Sequence, residues 1–129
     1  MSCDNYIVPV KLYLGRDNAV TVVPYSDYSE RVNYDMTTVT RVVADADLVG
    51  DVTVGNPVTG DSDVDPNKVF WDDNNAAGEW RIYCKVGLFT GIAAGTYTVR
   101  ITIYDSNHPN GLVLPDSDSA LQVEIVALP

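Results

Sequence analysis

The sequence is poor in the residues that most often do chemistry. Its 129 positions hold one histidine, His108, and two cysteines, Cys3 and Cys84. General acid–base catalysis draws on histidine more than on any other side chain. Ser-His-Asp and Cys-His arrangements would both have to use His108. No G-x-S-x-G elbow accompanies it. No G-x-G-x-x-G and no P-loop occurs, so the glycine motifs that cradle phosphates are missing. Cysteine and histidine at zinc-ligand spacing are missing too. These absences argue against an enzyme, and no cofactor is expected.

Basic residues are also scarce. Eight Lys and Arg face 18 Asp and Glu, for a net charge of −10. A field of that sign repels phosphate backbones and anionic lipid surfaces, which argues against nucleic-acid and membrane partners. Its plain use is solubility; its sharper use is complementarity to a basic partner surface. Long apolar runs are lacking, so no segment is expected to cross a membrane. The opening MSCDNYIVPV has neither a basic region nor an apolar stretch of the secretory kind, and synthesis in the cytoplasm is expected. Cys84 alternates with Trp80, Ile82 and Val86 and reads as a buried core thiol. A Cys3–Cys84 disulfide stays open, although a cytoplasmic origin weighs against it.

What the chain does have is β-strand patterning. Hydrophobic residues make up 46%, enough for a globular core. From Gly95 to Asp105, Tyr97, Val99, Ile101 and Ile103 fall on one face, and Thr96, Thr98, Arg100, Thr102 and Tyr104 on the other. That alternation marks a half-buried antiparallel strand. Further strands are expected at Tyr6 to Leu14, Ala19 to Val23, Met36 to Ala46, Leu48 to Val54, Glu79 to Val86 and Ala120 to Leu128. Pro9 cannot donate a ladder hydrogen bond, which places the first strand at an edge or on a bulge. Gly15 to Asn18 reads as a turn that folds the first two strands into a hairpin. Pro24 to Asp35 and Gly55 to Asn67 read as loops, Val69 to Trp71 as an apolar anchor, and His108 to Gly111 as a tight turn. Turn signals at roughly ten-residue spacing predict an all-β sandwich or barrel of about seven to nine strands.

Three groups of side chains are candidates for binding. Asp61, Asp63, Asp65 and Asp72 stand at positions of an EF-hand count, but Pro66 occupies the place that needs glycine, so an acidic surface loop is the simpler reading. Trp71 and Trp80 suit either a carbohydrate platform or the core. Tyr25, Tyr28 and Tyr34 cluster in one polar segment; such tyrosines serve protein interfaces, or pack back on their own sheet. Together with Tyr6 in the N-terminal segment, they are the candidate partner contacts. No residue is assigned a catalytic, metal or cofactor role.

The Gly95-Thr96-Tyr97 start followed by VRITIYD resembles immunoglobulin-like sandwiches, in which such a tyrosine bonds back to the backbone. The wider layout, LYLGRDNAVTVVP, MTTVTRVVADAD, IAAGTYTVRITIYD and HPNGLVL, is similar to small Ig-like bacteriophage virion proteins. The resemblance implies one Ig-like antiparallel β-sandwich over residues 1–129. It implies a non-enzymatic virion component: a capsid decoration protein, or an accessory of the neck, tail or baseplate. Its partners would be other virion proteins, with homo-oligomers allowed, and no functional residue set comes with it. The inter-sheet cysteine pair of antibody domains is missing. The reading from another class is a cell-surface recognition module for carbohydrate or calcium.

Overall fold

A computed structural model describes residues 10–27, 30, 32–49, 57–74, 79–114 and 121–128. Its strands are β1 (Val10–Tyr13), β2 (Val20–Val22), β3 (Tyr25–Asp27), β4 (Val32–Asn33), β5 (Arg41–Leu48), β6 (Val58–Asp61), β7 (Val69–Asn74), β8 (Glu79–Cys84), β9 (Gly95–Asp105), β10 (His108–Val113) and β11 (Leu121–Val126). A 3₁₀ turn, Val86–Leu88, is the only helical element among the described residues. The large sheet runs β1-β11-β9-β5-β6, with β10 also on β9; the small sheet runs β2-β8-β7; β3 and β4 form a separate ribbon. Every pairing is antiparallel except β1 with β11.

Strand β9 organises the large sheet because its alternation is long and regular. Tyr97, Val99, Ile101, Ile103 and Asp105 are all buried on one face. One edge of β9 pairs with β5 from Tyr97 to Tyr104. The other edge is shared by β11 and β10. Val42, Ala44 and Ala46 of β5, Val123 and Ile125 of β11 and Leu12 of β1 join the β9 residues in one core cluster with Val20, Val69, Ile82 and Cys84 of the small sheet. Each fully buried Val or Ile stabilises this core by about 1.5–3 kcal/mol.

Several expectations are corrected. β1 and β2 do not form a hairpin: β1 joins β11 in the large sheet, while β2 joins β8 in the small one. The turn at Gly15 (φ +75°) therefore carries the chain across from one sheet to the other. The Gly15 N–H donates to the Gly87 carbonyl at 2.9 Å, which ties this crossing to the 3₁₀ turn. The contact is close: a Cβ on Gly87 would lie 2.3 Å from the Tyr13 carbonyl oxygen.

Pro24 to Asp35 is not simply a loop, since it holds the ribbon β3–β4. Gly55 to Asn67 is not a loop throughout, since β6 pairs with β5 inside it. β5 begins at Arg41 rather than Met36. β7 extends the Val69–Trp71 anchor to Asn74. The turn expected at His108 to Gly111 lies instead at Ser106 and Asn107, and His108 to Gly111 falls within β10, across an irregular register with Gly111 at φ +92°. These additional short strands take the tally beyond the seven to nine expected. Among the described residues β1 lies at the edge of its sheet, one of the two placements that Pro9 allows. The strand expected at Leu48 to Val54 falls mostly outside the described residues.

The start of β9 carries the backward bond that the sequence suggested. The Tyr97 hydroxyl donates to the Ala93 carbonyl at 2.8 Å and accepts from the Ala93 N–H at 3.3 Å. Tyr97→Phe keeps the ring in the core and removes both bonds. It is expected to lower the unfolding free energy by about 1 kcal/mol, read as a drop in urea midpoint. An unchanged midpoint would mean that solvent replaces the bonds at no cost.

Candidate functional site

Strand β9 ends on a buried carboxylate. Asp105 continues the buried face of Tyr97 to Ile103 and is only 6% exposed. It is the only buried polar or charged residue among those described. A carboxylate there must be satisfied by donors. The Tyr34 hydroxyl donates to Oδ2 at 2.5 Å, and the Asn107 and His108 N–H groups donate to Oδ1 at 3.1 and 2.8 Å. His108 Nδ1 lies 2.8 Å from the same oxygen and carries the proton that a carboxylate acceptor requires. The two backbone bonds shape the Ser106–Asn107 turn. The Tyr34 bond ties the chain just after β4 to the large sheet.

The energetics follow from this geometry. The Tyr34 hydrogen bond, helped by His108, holds the Asp105 carboxyl below the usual carboxylate range against the opposing effect of burial. Burial, and then the Asp105 bond and charge, push the Tyr34 phenol up to about 12. Between its ordinary value near 10 and about 12, the folded state keeps the Tyr34 proton while the unfolded chain releases it. Stability contributed by this group is therefore present below pH 10 and lost as pH rises toward about 12. Urea midpoints of the wild type are expected to fall across that window, and those of Tyr34→Phe to fall less. Parallel curves for the two proteins would show that Tyr34 does not drive the alkaline loss.

Asn33 supplies the second anchor of the ribbon. Its Oδ1 accepts the Trp80 N–H at 2.8 Å, and its Nδ2 donates to the Pro24 and Trp80 carbonyls at 3.1 and 3.4 Å. The side-chain amide thus takes the place of a neighbouring strand's peptide beside β8, next to where β2 stops pairing at Ile82.

Tyr34 is a structural anchor in this arrangement. Tyr25 lies half-buried in β3, opposite Asn33. Tyr6 and Tyr28 lie outside the described residues. Trp71 and Trp80 are partly buried and pack against the core cluster. Cys84 is free and fully buried, and burial pushes its thiol up to about 12, so no reactive thiolate forms at neutral pH. Cys3 is outside the described residues.

Within the acidic loop, Asp61 and Asp65 are held in close ion pairs, while Asp63 stays largely exposed. Arg41 Nε and Nη2 donate to the two Asp61 oxygens at 3.0 and 2.6 Å, which holds the Asp61 carboxyl below its ordinary value. Asp65 pairs with Lys68 at 3.0 Å. Among the described residues, no three His, Cys, Asp or Glu side chains gather to hold a metal ion.

Asp105 and Asn33 escaped the sequence reading for different reasons. The β9 alternation runs on to position 105, so its period placed a carboxylate on the buried face. Nothing local marks Asn33, whose partner lies 47 residues away. No family model matches the chain, and no curated protein or solved structure matches it either.

Proposed function

We propose that this chain is a non-enzymatic structural protein of a bacteriophage virion, built as an immunoglobulin-like sandwich and acting by protein–protein binding. It serves as a capsid decoration protein or as a neck, tail or baseplate accessory. The strand order supports the immunoglobulin-like part of this reading. With β2, β5, β7, β8, β9 and β11 lettered B, C, D, E, F and G, the sheets run B-E-D and G-F-C, and β6 sits beside C as C′. Tyr97 then stands near the start of strand F, where an Ig-like tyrosine corner belongs. The phage assignment rests on the segments LYLGRDNAVTVVP to HPNGLVL.

The titratable side chains support binding over catalysis. Asp105, Tyr34 and His108 are committed to one another, Asp61 to Arg41, and Cys84 to the core. Quantitative mass spectrometry of purified virions of the encoding phage tests the proposal. Hundreds of copies per particle would mark a capsid decoration protein. A few rings' worth would mark a neck, tail or baseplate component. Absence from the particle would overturn the virion assignment.

A further inference from the structure

We infer that the turn between β6 and β7 is a docking knob for a partner protein whose surface offers an apolar socket edged by lysine or arginine. The inference rests on the binding function proposed above and specifies the face used and the chemistry it meets. Val64, at the tip of this turn, is 81% exposed, whereas the other exposed large hydrophobic residues among those described lie between 39% and 49%. A β-branched residue is a poor choice for a solvent-facing turn, where Gly, Asn, Asp or Ser fit at no cost.

The turn that presents Val64 is held in shape. The Asp61 carbonyl accepts from Val64 N–H at 3.1 Å and from Asp65 N–H at 2.8 Å. Asp61 Oδ1 accepts from Asp63 N–H at 3.0 Å, and the Arg41 clamp fixes Asp61 from the neighbouring strand. Lys68 closes the far side through Asp65. A knob held this way loses little conformational freedom on docking.

Beside the knob is an open cleft of about 250 Å³, lined by Thr59, Gly60, Val64, Phe89 and Thr90 together with the paired groups Asp61, Asp65 and Lys68. Its floor is formed where Phe89 lies against Gly60, close enough that a Cβ there would be 2.3 Å from the ring. Knob and hole together form one face: the partner seats Val64 and inserts an apolar side chain of its own. Asp63 and Asp65 flank the tip; each has a cation of this chain beside it, Arg41 Nε at 3.7 Å and Lys68 Nζ at 3.0 Å, yet they remain 62% and 38% exposed and so keep a face for a partner. Carboxylates at that rim select a basic surround, and the net charge of −10 steers the same partner.

The test adds purified protein back to particles of the encoding phage assembled without it and counts bound copies by mass spectrometry. Val64→Asp is expected to weaken binding roughly ten-fold or more, and Val64→Ala to fall between it and wild type. Asp63→Lys weakens binding, and wild-type binding falls as salt rises. Val113→Asp, across the large sheet on β10, leaves binding unchanged. Thermal melts of the Val64 variants match wild type because the side chain is exposed. Wild-type protein that does not bind the particles overturns the virion assignment and takes the knob with it. Equal binding by wild type and Val64→Asp overturns the knob alone. Salt-independent binding overturns the basic rim. Self-association in sedimentation velocity that Val64→Asp abolishes would make a second copy the occupant and overturn the heterologous partner.

Discussion

Replacing Ile103 by alanine is expected to lower the unfolding free energy by about 2–5 kcal/mol. Ile103 is fully buried at the centre of the core. It sits on the longest strand, opposite Val42 on one side and Leu112 on the other. Alanine removes three carbons and leaves a cavity whose walls are held by ladder bonds on both edges of β9. Those walls cannot close in, so the cavity cost adds to the lost transfer energy. Urea denaturation reads the effect as a lower midpoint with an unchanged slope. A loss below about 1 kcal/mol would mean that the two sheets move together and refill the space.

Gly87→Ala is expected to cost about 1–3 kcal/mol through crowding rather than lost contact. The obstacle at Gly87 is the Tyr13 carbonyl oxygen, with the Tyr13 carbonyl carbon at 3.1 Å and the Leu14 Cα at 3.6 Å. Backbone atoms cannot swing aside as a side chain can. To fit the methyl group, the end of β1 must move away from the 3₁₀ turn. That movement stretches the Gly15-to-Gly87 bond and the bond from Leu14 N–H to the Val126 carbonyl, each 2.9 Å. Hydrogen exchange at Leu12 to Gly15 should therefore quicken more than exchange in β9. Uniform quickening across both strands would mean that the methyl group weakens the whole fold instead of the β1 end.

Strand β9 was legible to its exact ends because its period, its turn signals and its burial all agree. Cys84 was legible for the same reason, as one position in an alternation. The hairpin expected from β1 and β2 failed on a different point. Turn residues at Gly15 to Asn18 announce that the chain changes direction, but they do not say which sheet receives the next strand. That choice is made by the pairing of β1 with β11, more than a hundred residues away. β6 was hidden because Gly60 and Pro57 give its neighbourhood a loop composition, while pairing with β5 overrides the local preference. His108 to Gly111 carries strong turn residues, yet the Asp105 carboxylate places the turn a few residues earlier. The partly buried cluster of Tyr34, Asp105 and His108 is assembled across 71 residues between Tyr34 and Asp105, and only its Asp105 member was marked by the period.

The parallel pairing of β1 with β11 also sets how the protein carries force. The first and last described strands lie side by side from Val10 opposite Val123 to Tyr13 opposite Val126. A pull on the chain before β1, resisted after β11, slides the two strands along each other. Their ladder bonds are evenly spaced and slant between the two strands, so they share the load together, whereas a hairpin peeled from its open end would break them one at a time. A protein tethered at both ends would meet tension first with this short seam.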